Sequence, residues 1–189
     1  TDYTKAIELN PSEADFYEDR GYTYNVLELR QQAISDFTKA IELDPESVMA
    51  YWNRSDAYIS LDRFDEAITD LNNAIKLDPT DAGPRSDRGY AYIALERYDE
   101  AITDFDKAIE LDPDYANPYK HRGVALKHLE RYDEALRDLN KAIELKPEYQ
   151  KAYAARAEIY QELNQPEKAQ SDEQKAKDLE EDNSAETQP

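Results

Sequence analysis

The chain has no cysteine, one methionine, one tryptophan, two histidines and four glycines in 189 residues. Each scarcity excludes a class of function. Without cysteine there is no disulfide framework, thiolate metal site or cysteine nucleophile, although this does not fix a compartment. Glycine is too sparse for a phosphate-cradling loop. His121 and His128 stand seven residues apart, two turns along one helix face and about 10 Å along its axis, too far to share one ion. The acidic run Glu180-Glu181-Asp182 lacks the glycine turn and alternating ligands of a calcium loop. No converging nucleophile and base can be named, so neither catalysis nor a cofactor or metal is expected. No apolar run approaches membrane-spanning length. Basic residues number 23 against 43 acidic ones, a formal charge of -20, which argues against a nucleic-acid partner because polyphosphate binding needs a basic surface.

What is present is a repeat. Pro11, Pro45, Pro79, Pro113 and Pro147 follow one another at steps of 34 residues. With each unit ending two residues after its proline, the repeats are 14–47, 48–81, 82–115 and 116–149. A half unit at 1–13 precedes them, and a diverged fifth unit at 150–181 follows. Small residues recur at Gly21, Ser55, Gly89, Gly123 and Ala157, where two helices must approach closely. They face the alanine stripes Ala33, Ala67, Ala101, Ala135, Ala169 and Ala40, Ala74, Ala108, Ala142, Ala176. Large residues fill the gaps: Tyr24, Tyr58, Tyr92, Leu126 and Tyr160 on the first helix, and Phe37, Leu71, Phe105 and Leu139 on the second. At this spacing they read as core. Acidic pairs such as Asp65-Glu66, Asp99-Glu100 and Asp133-Glu134 open the second helix, where its dipole favours negative charge. The repeat prolines expel Asp44, Asp78, Asp112 and Lys146 from it, whereas Pro84 and Pro118 fall in a first turn, where proline is tolerated.

The succession Tyr119, Gly123, Leu126, Ala135, Leu139, Ala142 and Pro147 resembles the signature of the tetratricopeptide repeat family, and the resemblance recurs in register along nearly the whole chain. It implies an all-α fold: antiparallel helix pairs stacked into a right-handed superhelical solenoid, with a concave groove lined by the first helix of each pair. It also implies a protein-interaction module that binds a peptide segment in that groove, not an enzyme. Some members grip the C-terminal carboxylate of chaperones with a lysine and asparagine set. Here the corresponding positions read Glu18, Tyr22, Asn53, Gly83 and Asp87, so that specificity is disfavoured. A self-assembling scaffold and the regulatory segment of a larger enzyme are the alternatives.

One pattern comes from this sequence alone. Arg20, Arg54, Arg88, Arg122 and Arg156 precede the small residue of each unit, and Asp36, Asp70, Asp104, Asp138 and Asp172 follow sixteen residues later. These pairs are expected to join the two helices of a unit. A ladder of cationic ligand contacts is the rival reading, but charges near a core are usually paired and the structural role is simpler.

Family geometry suggests a groove of two characters. The first three units offer Asp15, Glu18, Asp19, Asp56 and Asp87 among Tyr22, Met49, Trp52, Ile59, Tyr90 and Ile93, with Asn53 beside them. The fourth offers Lys120, His121, Lys127 and His128, joined by Lys151. A peptide would set apolar side chains on Trp52 and Tyr90, basic residues toward the first units, and a carboxylate near Lys120, Lys127 and Lys151. At the C-terminal end Gln170, Glu173 and Lys177 occupy stacking positions with polar side chains, so 150–181 reads as a capping repeat and 182–189 as a disordered tail. The opening Thr1 to Pro11 matches Thr103 to Pro113, and the only methionine is Met49. The chain therefore reads as a fragment that starts inside a unit, with self-association through the uncapped N-terminal end as one outcome.

Overall fold

The computed structural model describes residues 2–186, with side chains described through Asp182. Every regular element among the described residues is an α-helix, and the helices fall into two compact units, Thr1–Leu95 and Glu96–Pro189. The first holds α1 (Asp2–Leu9), α2 (Ala14–Val26), α3 (Arg30–Leu43), α4 (Val48–Ile59), α5 (Phe64–Leu77) and α6 (Ala82–Ala94). The second holds α7 (Tyr98–Leu111), α8 (Ala116–His128), α9 (Tyr132–Leu145), α10 (Gln150–Glu162) and α11 (Pro166–Glu186). In each unit consecutive helices pack as hairpins, and α2 touches α4, α4 touches α6, and α8 touches α10. The helices α2, α4, α6, α8 and α10 begin at 14, 48, 82, 116 and 150, the starts of the sequence repeats.

The small-residue stripes are where helices close on each other. A Cβ on Gly21 would sit 2.9 Å from the Phe37 ring, and one on Gly123 would sit 2.9 Å from Leu139 Cγ. Phe37, Leu71, Phe105 and Leu139 are fully buried between them, as are the facing alanines Ala33, Ala67, Ala101 and Ala135. The first-helix tyrosines Tyr24 and Tyr58 pack, as expected, against a buried cluster of Ala33, Ile34, Phe37 and Ala57. Tyr24, Tyr58 and Tyr160 are only half-buried, because each lies over the guanidinium of its unit's arginine with centroid distances of 5.7, 5.9 and 6.0 Å. Their rings cover a charge and at the same time face the core.

That arginine is bonded in two directions. Arg20, Arg54, Arg122 and Arg156 each donate from Nε and Nη2 to the two carboxylate oxygens of Asp36, Asp70, Asp138 and Asp172, at 2.7–2.8 Å. The remaining nitrogen, Nη1, reaches sixteen residues back into the preceding hairpin. It meets Thr4 at 3.4 Å, Thr38 at 2.9 Å, Asp106 at 2.5 Å and Asn140 at 2.5 Å, and in the third repeat Arg88 meets Asn72 at 2.5 Å. The forward bond was legible in the sequence; the backward one was not. The hydrogen bonds that Arg20 and Arg156 donate to Asp36 and Asp172 hold the two guanidinium groups above their ordinary values against the cost of burial.

The turns inside the hairpins are closed by backbone hydrogen bonds. Glu28, Asp62, Glu96, Glu130 and Asn164 recur at the 34-residue step with φ between 53° and 59°, the left-handed region, yet none is glycine. At Glu130 the N–H donates to the Lys127 carbonyl at 2.9 Å, and the Arg131 N–H reaches back to Leu126 at 2.9 Å. The same pair of bonds closes the turns at Glu28, Asp62 and Asn164. This is the double closure of a helix ending in a left-handed residue. The second helices end where the prolines require, with Asp44, Asp78 and Asp112 in extended geometry and Lys146 outside the helix.

At the C-terminal end Ala169, Asp172, Ala176 and Leu179 face inward, while Gln170, Glu173 and Lys177 are exposed. The tail expected over 182–189 differs in part. Residues 182–186 continue α11, whose run to Glu186 contains no glycine or internal proline to stop it, and 187–189 lie outside the described residues.

Two stability outcomes follow. Replacing Arg54 with leucine leaves Asp70 buried without its counter-charge, and should cost about 3–5 kcal/mol in urea unfolding, whereas an exposed pair such as Lys39–Glu42 should cost less than about 1 kcal/mol. At the turn, Glu130→Gly should raise the urea midpoint, by about 0.5–1 kcal/mol in stability, and Glu130→Val should lower it. A glycine variant less stable than the parent would mean that Glu130 carries no left-handed strain.

Candidate functional site

In the first compact unit, the groove positions expected from the sequence lie on α2, α4 and α6. Asp19 and Tyr22 are exposed on α2, Met49 and Asp56 are exposed on α4, and Tyr90 is exposed on α6. These acids do not all stand free. The Ser47 hydroxyl donates to Glu18 at 2.5 Å, and Asn25 donates from Nδ2 to Asp56 at 2.6 Å. Burial raises the Glu18 carboxyl above its ordinary value. The Ser47 bond opposes that shift, and the neighbouring Asp15, Asp44 and Asp19 add to it.

Trp52 departs from the expected free-standing anchor. It is half-buried, and its indole N–H donates to Asp87 Oδ2 at 2.6 Å. The six-membered ring lies on the first turn of α6, so close that a Cβ on Gly83 would sit 2.4 Å from Cζ2 and Cη2. Trp52 therefore ties α4 to α6 and presents only part of its surface. Burial pushes the Asp87 carboxyl up to about 6, against the Trp52 hydrogen bond and with help from Asp56 and Asp81. Asn53, between these residues, is half-buried on α4.

Exposed large apolar side chains cluster in this same unit. Beside Tyr22 (58% exposed) and Met49 (50%), the end of α2 leaves Val26 at 65%, Leu27 at 59% and Leu29 at 40% exposed. The other hairpin turns carry Ser60, Ala94, His128 and Glu162 at the Val26 position, and Arg63, Arg97, Arg131 and Gln165 at the Leu29 position. Val26 and Leu29 could have been found by that comparison of repeats. Asn25 and Gly83, which organise the acids and the indole, had no signal beyond their polarity and size.

In the second compact unit, the basic residues do not form an open cationic surface. Lys120 is buried, with its ammonium 2.8 Å from Nε2 and 3.1 Å from Nδ1 of His121 and 5.7 Å from the Tyr149 ring. Its pKa is lowered to about 7 by burial and by Lys151. His121 is stacked on Phe105, with centroids 5.9 Å apart, and burial together with Lys120 and Lys151 lowers it to about 3. Lys127 is paired with Glu158 of α10, and the exposed His128 stacks on Tyr98 at 4.7 Å. Of the five residues expected to form this basic end, Lys120, His121, Lys127, His128 and Lys151, only His128 and Lys151 stand exposed. Of the residues assigned to the Arg–Asp ladder, Asp36, Asp70, Asp104, Asp138 and Asp172 are all buried.

No group of three or more histidine, aspartate or glutamate side chains among the described residues is placed to hold a metal ion, and no described helix is long and apolar enough to cross a membrane. Family models for TPR repeats match residues 14–47, 55–95, 89–130, 116–149 and 139–171. The chain belongs to the tetratricopeptide repeat family. No curated protein matches it in sequence. Among solved structures, this TPR chain is similar to YrrB, a TPR protein with an unusual peptide-binding site, at 24% identity and a TM-score of 0.72, covering 95% of this chain and 93% of that one. It is also similar to MamA from Desulfovibrio magneticus, at 17% identity, TM-score 0.78 and 89% and 96% coverage. A thermophilic TPR protein of Thermus thermophilus matches at 20%, 0.76 and 88% and 91%. At these identities the likeness concerns the fold.

The Trp52–Asp87 bond supplies a direct readout, because Trp52 is the single tryptophan. Its emission should titrate with a midpoint near pH 6, and Asp87→Asn should abolish that transition; a parent spectrum flat from pH 5 to 7 would contradict the assignment. The raised carboxyl also sets a sign for stability. Below about pH 4 Asp87 is protonated both folded and unfolded. As pH rises from there through 6 the unfolded state ionises first, so the folded state loses stability over that window, and the asparagine variant should lack the loss.

Proposed function

We propose that this TPR chain is a non-catalytic protein-interaction module whose first compact unit binds a peptide segment carrying both apolar and basic side chains. The observation that carries the reading is the coincidence, on α2 and α4, of exposed Tyr22, Val26 and Met49 with exposed Asp15, Asp19 and Asp56. Large apolar side chains left exposed beside charged ones are a mark of contact. The sign of that charge selects a basic partner. Family membership supports a protein or peptide ligand, since TPR arrays commonly work as interaction scaffolds. Trp52 acts here by fixing α4 against α6 and by offering its remaining surface. The basic residues of α8 contribute no comparable open surface, so the acidic end of the peptide, expected from the sequence near Lys120, Lys127 and Lys151, is not part of this reading.

A fluorescent peptide alternating lysine with leucine, titrated by polarisation, tests this reading, with an oligolysine of equal charge as control. Tyr22→Ala combined with Met49→Ala should weaken binding by about tenfold or more, a loss typical of central contact residues. Asp19→Lys with Asp56→Lys should do the same, and oligolysine should bind less tightly than the mixed peptide. Equal binding by parent and both double variants would defeat the proposal.

A further inference from the structure

Lys120 lies in the second compact unit, on α8, and takes no part in the peptide surface proposed above. Its residue surface is 7% exposed, yet among the described residues no carboxylate pairs with it, in a chain with 43 acidic residues. The contacts of its ammonium are the two ring nitrogens of His121 and the Tyr149 ring. Both nitrogens cannot accept along their lone pairs from one position beside the ring, so these contacts satisfy the ammonium poorly. From α10, which packs on α8, the charge that acts on Lys120 is that of Lys151, and it has the same sign. Around them, the Tyr149 hydroxyl is committed as donor to Asn117 Oδ1 at 2.7 Å, and Tyr115 precedes α8. A buried ammonium beside a second ammonium, with no anion, is an arrangement that proteins normally complete with a counter-charge.

We infer that Lys120 and Lys151 form an oxyanion site, which takes a carboxylate or phosphate group between the two ammonium groups. Lys151 is exposed and leaves the site open to solvent on its side. An oxyanion would give Lys120 the acceptor it lacks and offset the repulsion from Lys151. Capture is linked to protonation. Burial and Lys151 bring the Lys120 amine to about 7, so above that pH the empty site is largely neutral and must take up a proton as the anion enters. His121, held near 3, stays neutral throughout, and Tyr149, raised to about 12 by burial, does not ionise in this range. Affinity should therefore fall by up to about tenfold for each pH unit above 7.

The test uses the whole chain with 13C-labelled lysine, and identifies the Lys120 side-chain resonance by its absence in Lys120→Met. Its titration midpoint is measured in chloride, in inorganic phosphate and in succinate at matched ionic strength. The inference expects phosphate, succinate or both to raise the midpoint by about one unit or more, and Lys151→Met to weaken that response. A response to phosphate alone identifies a phosphate-type ligand, and a response to succinate alone a carboxylate. A midpoint unmoved by both anions overturns the site, as does an unchanged response in Lys151→Met. Trp52→Ala should leave the measurement as it is, so failure of the peptide reading and failure of this one are separable.

Discussion

The fold depends on one side chain used twice. The first-helix arginine, at Arg20, Arg54, Arg122 and Arg156, binds its own hairpin through a bidentate grip on the aspartate sixteen residues ahead, and the previous hairpin through its third nitrogen. A lysine could not do both, since its point charge has no fork to divide between two directions. Arg20, Arg54 and Arg156 are also lidded by tyrosines three residues before and four after them, as Tyr51 and Tyr58 lid Arg54. Alanines and glycines bring the helices together, but apolar contact without direction allows sliding. The guanidinium supplies the direction, and its desolvation makes the pairing mandatory.

The sequence made legible whatever repeats with one residue type. The prolines, the small-residue stripes and the Arg–Asp spacing each recur in register, and each corresponds to a feature of the structure. What was illegible repeats in place but varies in chemistry. The backward partner of the arginine is threonine, asparagine or aspartate, so no type-based pattern marks it. The left-handed turn residue is glutamate, aspartate or asparagine, where glycine is the usual sign, because the two backbone bonds that close the turn ask nothing of the side chain.

The candidate surfaces were less legible than the frame, because they are built from what differs between repeats. Position five of the unit holds Glu18, Trp52, Ser86, Lys120 and Ala154 in turn. The family resemblance led all five to be expected on one face, but local neighbours decide what each presents. Trp52 settles on the backbone of Gly83, thirty-one residues away, and is partly withdrawn from solvent. Lys120 is buried where a surface lysine was expected. The apolar turn at Val26 and Leu29 shows only when the five turns are compared with each other.

The doubled reach of the arginine also constrains how such a chain can change length. If residues 48–81 were excised, Arg88 would find Thr38 where it now finds Asn72, and the bridge would close with a new acceptor of a kind already in use at Arg54. An excision that is not a multiple of 34 residues would bring a side chain from some other position of the unit to that place. Growth and shrinkage in this architecture are thus quantised. Whole modules can be copied or dropped with the framework intact, while the surface inherits whatever residues the copied module carries.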